Sequence, residues 1–237
     1  ISAIPPDALT LHFMAPGASQ QFPDGLVHQK IVPCTIFSQV LFGSYEITCG
    51  GCTAAIQAGE AFLTPANRIM TIVHHADSER GGYMGARWIH FHVTLFGTVD
   101  FTSLLDMPLR LEAGKAGPIG QVVEDLLAVN PGEADDSLHW LVWRQEQAFT
   151  VLRHLCASAP MRPESLNILQ HSERLTSVFS HIRAHMAEPI DVAHLADLAH
   201  MSRSRFHAFF KEHMKCPPME YVKQIRLNEA CKLLISS

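Results

Sequence analysis

Charge is scarce in this 237-residue chain: Asp, Glu, Lys and Arg together make up 17% of it, against 47% hydrophobic residues. That balance excludes an intrinsically disordered polymer and describes a globular protein. Long apolar runs are also missing. None approaches the roughly 20 residues of a membrane-spanning helix, so no membrane partner is expected. The chain opens at Ile1 with no basic stretch followed by an apolar run, so no targeting segment is read and a cytoplasmic location is expected. The absence of an initiator Met points to a start upstream of Ile1. Cysteine is sparse: the six residues Cys34, Cys49, Cys52, Cys156, Cys216 and Cys231 are scattered, which argues for free thiols rather than a disulfide framework. A second CxxC is lacking, so Cys49-Gly-Gly-Cys52 has nothing to complete a zinc site. Two glycines between strand-like segments read instead as a hairpin turn. No GxSxG motif is present and no Cys–His pair stands out, so no catalytic residues are assigned and the chain is not expected to be an enzyme.

The charge that is present is uneven. From Met201 to the end, seven Lys and Arg face three Asp and Glu, while the whole chain carries −5. A basic tail on an acidic body suggests that the tail meets a polyanion. From about residue 30 to 96, short segments rich in β-branched and aromatic residues (34–42, 44–48, 53–57, 61–65, 68–73 and 86–96) alternate with glycine and proline, predicting an antiparallel sandwich or small barrel. The period then changes. Ile119, Val122, Val123, Leu126 and Leu127 predict a helix after Pro118, and "NPGEADD" (130–136) ends it. Ser137 is placed to cap a second helix, with Leu138, Leu141, Val142, Phe149, Leu152, Leu155 and Cys156 on a broad apolar face suited to packing or to a partner helix. "ASAPMRPES" (157–165) reads as linker. Leu175, Val178, Phe179, Ile182 and Met186 then follow a helical spacing that Pro189 closes.

Beyond Pro189, Asp191 caps a short helix, with Ile190 and Leu195 as a hydrophobic staple. Ser202 caps the next, with Met201 and Phe206 as a second staple. Two short helices joined by a tight turn, the second basic, fit a helix-turn-helix, in which the second helix enters the major groove. Phe206, Phe209 and Phe210 face inward, leaving Arg203, Ser204, His207, Ala208 and Lys211 outward. Spacing alone leaves a DNA reader and a solvated helical face equally open. Residues 188–234 resemble the first helix-turn-helix unit of the AraC/XylS family of transcription regulators. Leu195-Ala196, Ala199, Met201-Ser202, Phe206, Phe210-Lys211, Pro218, Tyr221, Arg226-Leu227, Ala230 and Leu233-Leu234 carry the likeness. The resemblance implies DNA as partner, with Ser202, Arg203, Ser204, His207 and Lys211 as the binding set. Three departures stand beside it. Ala208 replaces a usual Arg and offers only a methyl contact to thymine. Lys215 stands where a glycine commonly ends the recognition helix. A second unit of about fifty residues is expected beyond the end of the chain.

That family often joins its DNA-binding part to a cupin-like barrel sensing a small molecule. Residues 34–96 are similar to it, with "GEAFLTPANRIM" (59–70) as its Gly…Pro turn and "RWIHFHV" (87–93) as its last long strand. The HxH-plus-Glu set of metal-binding cupins is absent from 43–59 and Met70 holds the later His position, so neither metal nor cofactor is expected. Trp88, His90 and His92 alternate along one strand and share a face. They are the effector-binding candidates if that face lines the barrel, and ordinary core if it does not. His90 and His92 with His74 or His75, and His181 with His185, are the pairs weighed and set aside as metal ligands. The expected architecture is α+β: a cupin-like antiparallel β-barrel with flanking helices over 1–158, a linker at 159–171, and an all-α helix-turn-helix domain over 172–237. The expected function is a homodimeric, ligand-responsive transcription regulator, its effector a small molecule such as a sugar. The alternatives are a metal-dependent cupin enzyme and a non-enzymatic sugar-binding protein.

Overall fold

Ten strands and six helices follow from this alternation of pattern in a computed structural model, which describes residues 8–97, 99–129, 138–214 and 216–236. Within its helices, the side chains of 166–174, 228, 229 and 231–236 lie outside the description, as do Ser137, Lys215 and segment 130–136. The chain divides into two units. One comprises Leu11–Val93 with Leu105–Met161, the other Ile1–Thr10, Thr94–Leu104 and Arg162–Ser237.

In the sheet unit, β1 (Leu9–Pro23), β8 (Tyr83–Leu95), β3 (Thr35–Phe42), β6 (Ala61–Thr64) and β10 (Arg110–Leu111) lie side by side in that order in one sheet. The second sheet has the order β2 (Val27–Lys30), β7 (Met70–His75), β4 (Ser44–Cys49) and β5 (Cys52–Ile56). Ile36, Val40, Phe62, Met84 and Ala86 from the first meet Tyr45, Ile47, Cys49, Ile56, Met70 and Ile72 from the second in one core. From β2 to β10 the pairing is antiparallel throughout, so the unit is two antiparallel sheets packed face to face, as the sequence predicted. Cys49 pairs with Cys52 across the β4–β5 turn, where Gly50 and Gly51 have φ of 60° and 82°. That left-handed pair is what a two-residue hairpin turn requires, as the sequence predicted.

The outer face of the first sheet is covered as well, which is why β3 is buried from Thr35 to Val40 on both faces. Helix α1 (Ala113–Ala128) buries Ile119, Gly120, Val122, Val123 and Leu126. A Cβ on Gly120 would lie 1.9 Å from Gln39 Oε1, so the glycine permits this approach. Gln39 Oε1 accepts from Arg87 Nε (2.9 Å) and Arg87 Nη1 pairs with Glu124 of α1 (2.6 Å). Helix α2 (Leu138–Ser158) buries Ala148, Val151, Leu152 and Leu155. The broad apolar face expected there divides: Leu152 and Leu155 are core, whereas Leu138, Leu141 and Val142 are 80%, 63% and 65% exposed.

The helical unit contains α3 (Pro163–Ala184), α4 (Val192–Leu198), α5 (Arg203–Met214) and α6 (Pro218–Ser236). Its boundaries differ from those expected. The 159–171 linker is helical from Pro163, because a proline in the first turn starts a helix as readily as it stops one. Residues Thr94–Leu104 also belong to this unit rather than to the sheets: Leu95, Phe96, Val99 and Leu104 share its core with Leu175, Val178, Phe179 and Ile182. Phe96 stacks on Phe179 with ring centres 5.0 Å apart, and the Tyr221 hydroxyl donates to the Phe96 carbonyl.

Candidate functional site

Between the two sheets lies a cavity of about 200 Å³. β8 contributes Trp88 and His90 to its wall, and β3, paired with β8 through Ile36↔His90 and Ser38↔Trp88, contributes Ile36 and Ser38. β2 adds His28 and Lys30, and β7 adds Ile72 and His74; their register, His28↔Ile72, keeps these four on one face. Phe22, Tyr45 and Phe62 complete the wall. Trp88 is held by a neighbour with no side chain. A Cβ on Gly17 of β1 would fall 2.5 Å from the indole, so glycine there clears the place where the ring lies.

The polar groups of this cavity are short of water. Burial lowers the Lys30 ammonium from its ordinary range. The same desolvation lowers His90, with a smaller push from Lys30, and lowers His74, whose bond to the Leu26 carbonyl works the other way. The His74 Nδ1–H donates to that carbonyl at 2.9 Å, so its neutral ring presents Nε2 as an acceptor. Burial pushes the Tyr45 phenol up to about 12, and Ser38 Oγ donates to it at 3.4 Å.

Trp88 and His90 therefore lie where the alternation of β8 placed them. His92 does not line the cavity. Its ring stacks on His12 of β1, 4.7 Å between centres, so sharing a face with His90 did not carry it into the site. Phe22, His28, Lys30, Ser38 and Tyr45 were missed. For the two β2 residues, the alternation in "VHQK" was the available sign. Among the described residues, no group of three or more His, Cys, Asp or Glu is arranged to hold a metal ion. His181 stacks on His185 at 4.3 Å and meets His194 edge-on at 4.6 Å.

The second site is the α4–α5 pair. Asp191 Oδ1 accepts from Ala193 N (3.2 Å) and Ser202 Oγ accepts from Arg205 N (3.4 Å), each capping its helix. The turn between them is tight: Met201 N donates to Ala196 O at 2.9 Å, and His200 takes φ of 54°, a region His enters more readily than most residues. Leu195, Ala196, Phe206, Phe210 and Met214 are buried, with Ile190, Met201 and Phe209 packed against them. Ser202, Arg203, Ser204, His207, Ala208 and Lys211 are all exposed. At about 100° per residue, Ser204, Ala208 and Lys211 lie near the middle of that face, opposite Phe206 and Phe210. Arg205 is exposed too, on the flank away from Arg203 and His207, and was left out of the expected set. Arg226 of α6 braces the pair, donating from Nε to Met186 O (2.8 Å) and from Nη2 to Glu188 O (2.5 Å).

Residues 195–237 match the model of a family described as "Helix-turn-helix domain". The chain therefore carries a helix-turn-helix domain after its antiparallel sheets. A helix-turn-helix domain is a DNA-binding module, and α5 lies inside the matched span. Several solved structures are similar to part of the chain. The Clostridium difficile EutQ protein is 12% identical with a TM-score of 0.27, covering 33% of this chain and 56% of its own. A cupin superfamily protein from Desulfitobacterium hafniense is 16% identical (TM-score 0.26; 36% and 68% covered). The Cnp3 cupin domain of Schizosaccharomyces pombe is 17% identical (0.29; 35% and 62%). No curated protein matches. No helix among the described residues is long and apolar enough to cross a membrane.

Proposed function

We propose that the chain is a cytoplasmic, non-enzymatic transcription regulator in which a small molecule held in the sheet cavity alters what a homodimer does on DNA. The observation that carries this reading is the presence, in one chain, of a helix-turn-helix domain with exposed cations on α5 and an aromatic-walled cavity on which an ammonium, three imidazoles, a phenol and a hydroxyl converge. A cavity of that composition is the usual form of a small-molecule site. The roles on α5 follow from reach and shape. Arg203 and Lys211 are long cations suited to phosphate, Ser204 and His207 are short groups suited to base edges, and Ala208 touches at most a thymine methyl.

Selection from a random DNA library, followed by anisotropy titrations over a range of salt, tests the DNA half of the reading. Arg203→Ala or Lys211→Ala should weaken binding to every sequence and lower the salt slope by about one unit each. His207→Ala should cost about 1–3 kcal/mol on the selected site and little on random DNA. A chain that shows no salt-dependent binding to any DNA would overturn the reading. The dimer rests on the exposed stripe of Leu138, Leu141, Val142 and Phe149 on α2. Replacing Leu141 and Phe149 with Glu should turn a dimer into a folded monomer by light scattering, and a monomeric parent protein would remove that part.

A further inference from the structure

Resting on the reading of the cavity as the effector site, we infer that its ligand is a small organic carboxylate with an apolar body, the carboxylate held by Lys30. The composition of the wall separates this class from the others. It holds one ammonium, three imidazoles, a phenol, a hydroxyl and an indole N–H, and neither a carboxylate nor an amide. A sugar ring presents several hydroxyls at fixed angles, and the two-pronged carboxylate, amide and guanidinium side chains that bind neighbouring hydroxyls in pairs are absent from this wall. A cationic ligand would find aromatic faces but would also meet the charge of Lys30.

The ammonium itself is the strongest pointer. It is half-buried between the sheets, with no carboxylate in the wall; outside the wall the Cys34 thiol favours its charge, less strongly than burial opposes it. Withdrawing a charge from water without a partner is costly, and a carboxylate from solution supplies the partner. The remaining polar groups are divided in a way that suits an anion at one end only. His74 has committed its Nδ1–H to the Leu26 carbonyl, and Ser38 donates to Tyr45, leaving the Tyr45 O–H to donate onward. The rest of the wall is aromatic and aliphatic: Phe22, Phe62 and Trp88 with Ile36 and Ile72. Flat or short aliphatic bodies fill such space well.

Calorimetric titration of the full chain with benzoate and hexanoate, set against benzamide, hexanamide and glucose, tests the inference. At least one acid should bind about tenfold or more tighter than its own amide, as expected when a neutral hydrogen bond becomes charge-assisted. Lys30→Met should erase that ratio while leaving weak amide binding in place, and Lys115→Met, at an exposed lysine of α1, should preserve it. Circular dichroism checks that each variant is folded, with Lys30→Gln as a second substitution should the Met variant fail. Amides binding as tightly as acids, or an acid preference that survives in a folded Lys30 variant, overturns the inference. Glucose binding alone overturns it too, yet leaves the effector reading standing, whereas no binding by any of the five compounds removes both.

Discussion

The two units keep their polar chemistry in opposite places. In the sheet unit, Lys30, Tyr45, His74 and His90 point into a cavity where lack of water shifts the protonation of all four. In the helical unit the interior is aromatic, built on Phe179, Phe206, Phe210 and Tyr221, and Arg203, Arg205, His207 and Lys211 are outside. On the proposed function, the difference suits two kinds of target. A small molecule offers few contacts, so each must be made in a dry, low-dielectric enclosure to count. A nucleic acid offers a long row of phosphates, so many exposed cations, each weak, suffice together.

The comparison breaks most severely if the aromatic interior is opened. Phe206 is fully buried, and Phe206→Ala should cost about 3–5 kcal/mol. Chemical denaturation should show that loss and anisotropy should show DNA binding abolished at every salt concentration, while ligand heat at the cavity persists. Loss of both activities would mean that the chain behaves as one cooperative body. A smaller effect is expected from Gly17→Ala, which pushes the Trp88 indole out of its place and should cost about 1–3 kcal/mol. It should change tryptophan fluorescence and weaken ligand binding, with DNA binding kept. The smallest effect is that of pH. Burial lowers His74 and His90 below the ordinary value of 6.5, so the unfolded chain takes up protons first. The stability these two contribute is full above about 6.5 and is lost as pH falls through their lower folded values. Melting curves from pH 8 to 5 should fall on the acid side, and His74→Gln should flatten that fall.

The helical unit was the more legible of the two. Asp191 and Ser202 stand where caps must stand, and Met201, Phe206 and Phe210 follow at the spacing of one buried stripe, so the starts of α4 and α5, the turn between them and the exposed face of α5 could be read locally. The start of α3 and the inclusion of 94–104 could not. Arg205 shows the limit of such reading, because it lies on the exposed arc yet outside the set selected. In the sheet unit, alternation told which residues share a face but not where along the strand the cavity ends. Of the three residues selected, Trp88 and His90 line the cavity and His92 does not. The 15-residue β1 was invisible because Pro16, Gly17 and Pro23 interrupt every propensity signal. It is an edge strand, paired on one side by β8, where such residues are tolerated. Phe22 of the cavity wall then had no strand to be placed on.

The assignment of Thr94–Leu104 to the helical unit has a practical meaning for anyone wishing to separate the two activities. The polypeptide passes from one unit to the other at four places, after Thr10, Val93, Leu104 and Met161. A single scission, by protease or by a cloning boundary, therefore cannot yield both halves intact. A fragment beginning at Arg162 carries the whole of α5 but leaves behind Leu95, Phe96, Val99 and Leu104, and with them the ring that covers Phe179 and the carbonyl that receives the Tyr221 hydroxyl. Such a fragment should be poorly soluble, and adding residues 94–104 as a separate peptide should rescue it.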